Sequence, residues 1–91
     1  MKFATIAFIG AASAAASNCA NAWVNNNGSA NCQMAVAICL AESGGNPRAT
    51  NVNSDSHHSI DRGLWQINSY WHPEVSESCA FDSNCNAKHA Y

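Results

Sequence analysis

Charge is scarce in this sequence. Four Lys/Arg and six Asp/Glu in 91 residues give a net charge of −2 with His neutral, and no two basic residues are adjacent. A surface that binds phosphate backbones needs clustered Lys/Arg, so nucleic acid is excluded as a partner. The cysteines lack C-x₂-C spacing, which argues against a structural zinc site. No apolar run is long enough for a good membrane span. The only two prolines, Pro47 and Pro73, stand where the pattern breaks rather than inside it. At this length there is at most one domain, with a modest core.

What is present begins with Met1-Lys2, an apolar run from Phe3, and an Ala/Ser tract. This is the layout of a secretory leader, expected over residues 1–22, with a domain over 23–91. Ala14-Ala15-Ala16 and Ala20-Asn21-Ala22 both fit an A-x-A cut, and Cys19 lies between them. The later cut leaves Cys32, Cys39, Cys79 and Cys85, an even number suited to an oxidising compartment. The chain is therefore expected outside the cell or in an acidic digestive compartment, without a membrane anchor once the leader is gone. Either cut leaves three basic side chains against six acidic ones. Four histidines (57, 58, 72 and 89) would offset that excess near pH 5.

Asn25 to Ser29 reads as a turn-forming linker, with an N-glycosylation acceptor at Asn27-Gly28-Ser29 and a helix cap at Ser29 or Asn31. Cys32 to Glu42 has no Gly or Pro and predicts a helix buried on most of its surface. Met34, Ile38 and Glu42 lie one turn apart, at the edge of an apolar stripe. Ser43-Gly44-Gly45 and Asn46-Pro47 end the helix. Ala49–Asn53 and Ser59–Ile67 predict a small antiparallel hairpin around a polar tip at residues 54–58. Asp82 or Ser83 can cap a last helix. Cys79 and Cys85 can close a local loop. Alternatively, Cys32 and Cys39 can pair with the C-terminal segment, in either combination.

Two carboxylates on opposite sides of a helix–hairpin junction suit cleavage of a glycosidic bond. One must deliver a proton while the other stays ionised. Glu42, on an apolar helix and in its last turn, fits the acid, since desolvation and the helix dipole both disfavour its charge. Asp61, in polar surroundings beside Arg62, fits the second role. Asp55 is more simply a turn former. Tyr70 and Trp71 offer faces for stacking on sugars, and Asn53, Gln66 and Asn68 offer donors and acceptors for hydroxyl and acetamido groups. Trp23, Trp65 and Ile67 are expected in the core. His57-His58 reads as a solvated tip rather than a metal pair.

Glu42-Ser43…Asn46, Ala49-Thr50-Asn51, Asn53, Asp55 and Asp61-Arg62-Gly63-Leu64-Trp65-Gln66-Ile67-Asn68-Ser69-Tyr70-Trp71 together resemble the active-site helix end and hairpin of animal-type lysozymes. The Glu-Ser-Gly-Gly-Asn-Pro and Gly-Leu-Trp-Gln elements are equally similar to soluble lytic transglycosylases. The resemblance spans roughly residues 32–91. It implies an α+β fold, with a mostly helical lobe and a small β-hairpin lobe flanking a cleft. It also implies a monomer with no cofactor and no metal, acting on peptidoglycan or a related N-acetylhexosamine polymer. Glu42 would be the general acid and Asp61 the carboxylate that attacks or stabilises the sugar. Asn53 and Asn68 would surround Asp61, and Gln66 and Trp71 would line the cleft. The resemblance leaves three readings open: a muramidase using both carboxylates, a lytic transglycosylase using Glu42 alone, or a non-catalytic domain binding glycan or a partner. This sequence departs from the family through a longer tip at Ser56-His57-His58 and different cysteine positions. The family continues with helices that would begin near Tyr91, so the apolar helix is expected to keep one side exposed.

Overall fold

In the computed structural model, which describes residues 9–90, four helices accompany a small antiparallel sheet, giving the expected α+β fold. Helix α1 (Ile9–Asn27) packs against α2 (Cys32–Ser43) and α4 (Ser83–His89), while α3 (Glu77–Ala80) leads into α4. The sheet is formed by β1 (Thr50–Val52), β2 (Ile60–Arg62) and β3 (Ile67–Asn68), in that spatial order.

The linker expected at Asn25–Ser29 is largely helical. Asn26 donates to Ala22 O at 2.8 Å and Asn84 Oδ1 at 2.9 Å, and Asn27 donates to Ala87 O at 3.0 Å. These contacts tie the last turn of α1 to α4, so the chain turns only at Gly28 (φ +77°). Asn31 takes the cap position of α2, but with φ +59° its side chain makes no capping bond. At the other end the Gly-Gly break works as expected. Gly44 is left-handed and its N–H returns to Leu40 O at 2.9 Å, satisfying a terminal carbonyl. Asp82 caps α4 by accepting from Cys85 N at 2.9 Å.

Residues 59–67 do not form one strand. The ladder pairs Thr50 with Arg62 and Asn51 with Asp61, then stops at Gly63. Gly63 has φ +78°, and a Cβ there would lie 2.0 Å from Ala80 O. This contact and that backbone angle require glycine. Gln66 turns the chain back at φ +56°, and β3 pairs Asp61 with Asn68 and Arg62 with Ile67.

The main core combines Cys19, Ala22, Cys39, Leu64 and Ala87, with Val36, Leu40 and Trp65 against it. Trp23 is buried and its ring centroid lies 5.7 Å from that of Trp65, so both indoles pack as expected. Helix α2 is not buried on most of its surface. Only Ala35 and Cys39 are fully enclosed, while Met34 and Ile38 are 66% and 46% exposed. Among the described residues, nothing covers the stripe that runs down to Glu42.

Cysteine parity misleads. Cys19 bonds to Cys39 and Cys79 bonds to Cys85, leaving Cys32 unpaired. The helix-to-C-terminus pairing is not adopted because α1 lies along α2 and brings Cys19 to Cys39 first. Cys79 and Cys85 meet across the short α3–α4 turn. Two disulfides suggest an oxidising environment, and no helix of the described residues is long and apolar enough to cross a membrane. Replacing Cys19 and Cys39 with Ser is expected to lower stability by about 3 kcal/mol, the loop-closure value for their separation. The shift in urea midpoint measures it.

Candidate active site

Residues two apart share a face of a strand, so Ser59, just before β2, and Asp61 project together. Asn53, just beyond β1, and Asp55, in the tip, reach them from the neighbouring chain. Asn53 Nδ2 donates to Asp61 Oδ2 at 3.2 Å and to Ser59 Oγ at 3.1 Å. Asn68 Nδ2 donates to Asp61 Oδ1 at 2.9 Å and to Ser59 Oγ at 3.2 Å. Both oxygens of the half-buried Asp61 are thus held by amides, which fixes the orientation of the carboxyl plane. Ser59, only 1% exposed, joins both amides and donates its own proton to Asp55 Oδ2.

Asn68 also looks outward. Its Oδ1 accepts the backbone N–H groups of Tyr70 and Trp71, at 2.9 and 3.1 Å. One amide therefore joins Asp61 to the turn carrying the exposed aromatics. An open groove of about 460 Å³ runs beside them, lined by Trp65, Gln66, Ile67, Asn68, Trp71 and His72 among others.

Gln66 lines that groove, yet its amide works inside the protein. Nε2 donates to Ala49 O and Gly63 O, and Oε1 accepts from Asn51. Its side chain braces the β2–β3 turn against the start of β1. Arg62 points away from Asp61, as neighbouring strand positions require. It is buried, donating from Nε to Ile67 O and from Nη1 to Val75 O at 3.1 Å each.

Glu42 stands outside this network, in the last turn of α2. It is exposed, and no described group donates to it. The apolar stripe expected to desolvate it is present but faces solvent, because Met34 and Ile38 are uncovered.

Asp55 is the turn former anticipated. Its carboxyl is held below its ordinary value of 3.8, first by the Ser59 hydroxyl and then by the Ser59 amide, with the His57 N–H and charge adding to both. A depressed folded value means that this support is present above the unfolded value and is lost as pH falls through the folded one. The Ser59 amide proton is therefore expected to move upfield by NMR as pH falls below the ordinary carboxylate range. Asp55→Asn should abolish that titration.

Sequence reasoning missed Ser59, although its i, i+2 spacing from Asp61 was a usable signal. It also missed the packing of His57 described below, which no local pattern announces.

A family model for a lysozyme-like domain matches residues 24–91, a span that includes α2, the sheet and every polar residue of this network. No curated protein and no solved structure matches the chain.

Proposed function

Because the chain belongs to the lysozyme-like domain family, we propose that it cleaves β-1,4 bonds of bacterial peptidoglycan as a muramidase. Glu42 donates a proton to the glycosidic oxygen as the C1–O bond breaks. Asp61 faces C1, attacking it or stabilising the developing cation, and water then takes the leaving group's place. The observation that supports this reading best is the double amide clamp on Asp61. It presents an oriented carboxyl group beside an exposed aromatic pair. A glycan laid over α2 would itself cover Glu42 and supply the desolvation that a proton donor needs.

The clamp also supports a second reading. Asn53 and Asn68 already engage both oxygens of Asp61, which suits a carboxylate that only braces the sheet. Glu42 would then act alone, and a hydroxyl of the sugar would close onto C1 as in a lytic transglycosylase. Mass spectrometry of soluble products from purified peptidoglycan separates the two. Reducing-end sugars indicate hydrolysis and 1,6-anhydro sugars indicate transglycosylation. Hydrolysis lost in an Asp61→Asn variant whose hairpin NMR signals stay parental indicates two carboxylates at work. Absence of any fragments from folded protein would leave a non-catalytic glycan-binding or partner-binding domain.

We further propose that the protein is secreted as a monomer, with its leader cut after Ala16. That cut keeps Cys19 bonded to Cys39, whereas a cut after Ala22 would remove Cys19. The intact mass of secreted protein distinguishes the two.

A further inference from the structure

The hairpin tip is solvated, as expected, yet it is ordered. Asp55 gathers it by accepting the backbone N–H of Ser59 at 3.0 Å, and the chain doubles back through His58 at φ +53°. This turn lays the His57 ring on the face of Tyr70, with centroids 3.6 Å apart and planes 10° from parallel. Trp71 stands nearly perpendicular to both rings, at 4.8 Å from Tyr70 (86°) and 6.4 Å from His57 (77°). Each part of this cluster is anchored. Asp55 holds the tip to Ser59, Asn68 holds the amides of Tyr70 and Trp71, and Ser59 and Asn68 are themselves bonded.

With His57 over one face, Tyr70 loses that face as a landing place for a sugar. Trp71, 68% exposed, keeps open indole surface. We propose that His57 is a positioning residue for substrate: it closes the Tyr70 ring and presets Trp71 as the shelf on which an N-acetylhexosamine unit stacks. The stack reduces the rotamer freedom that binding would otherwise remove, so its effect appears in affinity. The shelf is tied to the Asp61 network through Asn68, which bonds both the Asp61 carboxyl and the Trp71 amide. This inference rests on the glycan-cleaving reading and adds to it a residue outside the family's motif.

The test is calorimetric titration of a soluble N-acetylglucosaminyl–N-acetylmuramyl tetrasaccharide into the full chain, with Glu42→Gln present throughout to prevent turnover. His57→Ala is expected to weaken binding about threefold to tenfold, the range of an aromatic pair. His57→Phe, which restores the ring without its nitrogens, is expected within about twofold of the parent by the same reasoning. In NMR spectra the His57 ring protons are expected upfield, and Tyr70→Leu should return them to ordinary positions. If His57→Ala binds as tightly as its parent, or His57→Phe fails like His57→Ala, the positioning role is wrong while the glycan reading stands. If the folded parent does not bind at all, the glycan reading falls and this inference with it.

Discussion

Glu42→Gln is expected to lower the rate of glycan cleavage by about 10²- to 10⁴-fold, the contribution typical of a positioned general acid. Gln keeps the size of the side chain and its hydrogen-bonding capacity but has no proton to give the leaving oxygen. The result is readable because Glu42 is exposed and engages no described group, so the substitution removes no support from the fold. The melting temperature and the affinity for uncut glycan should therefore stay close to those of the parent while soluble products disappear. A variant that still releases fragments at the parental rate would remove Glu42 from the mechanism. Asp61→Asn has no such clean interpretation. Its Oδ1 and Oδ2 face Nδ2 groups of two asparagines, and an amide NH₂ at either position would set donor against donor. Loss of activity there would need to be read beside the hairpin's integrity.

The largest effect on stability is expected at Asn86. Its side chain is fully buried and holds three backbone groups. Nδ2 donates to Arg62 O at 3.0 Å and Ala80 O at 2.7 Å, and Oδ1 accepts from Trp65 N at 3.0 Å. These bonds join α4 to the end of α3 and to the turn that ends β2. Asn86→Ala removes three hydrogen bonds to backbone groups in a buried site and leaves a cavity in their place, at a cost of about 3–5 kcal/mol. In a domain this small, that is a large share of the total. Asn86→Asp should be at least as harmful, because it turns an acceptor toward two carbonyl oxygens. Urea midpoints for the two variants check both expectations. A change under about 1 kcal/mol in either would show that the turn can satisfy itself elsewhere.

The contrast between these two residues explains what the sequence made legible. Glu42, Asp61, Asn53 and Asn68 stand in an ordered set of local motifs, and the helix break at Gly44-Gly45 follows from backbone freedom alone. The hairpin followed from two short β-branched runs around a polar tip. What could not be read was every feature set by distant packing. Asn86 looks like any polar residue of a short helix until α3 and the Gly63 turn close over it. Gly63 looks like part of a strand until Ala80 O occupies the space of its missing side chain. Cys19 looks dispensable with the leader until α1 lies along α2. Composition alone suggested a helix buried on most of its surface, because it records how apolar a helix is but not what is available to cover it. The exposed side bearing Met34 and Ile38 was anticipated by the family resemblance instead.

Among the described residues, most of the long polar ties are made by amides. Asn18 reaches Gly45 O, Asn26 and Asn27 reach α4, Asn53 and Asn68 clamp Asp61, and Asn86 joins α4 to the sheet. Among the described residues the one side-chain ion pair is His72 with Glu74, two positions apart and exposed. Screening by dissolved ions weakens attraction between exposed charges and leaves neutral hydrogen bonds nearly untouched. The architecture should therefore hold much the same in dilute buffer as in brine, because so few of its internal attachments are charge-to-charge.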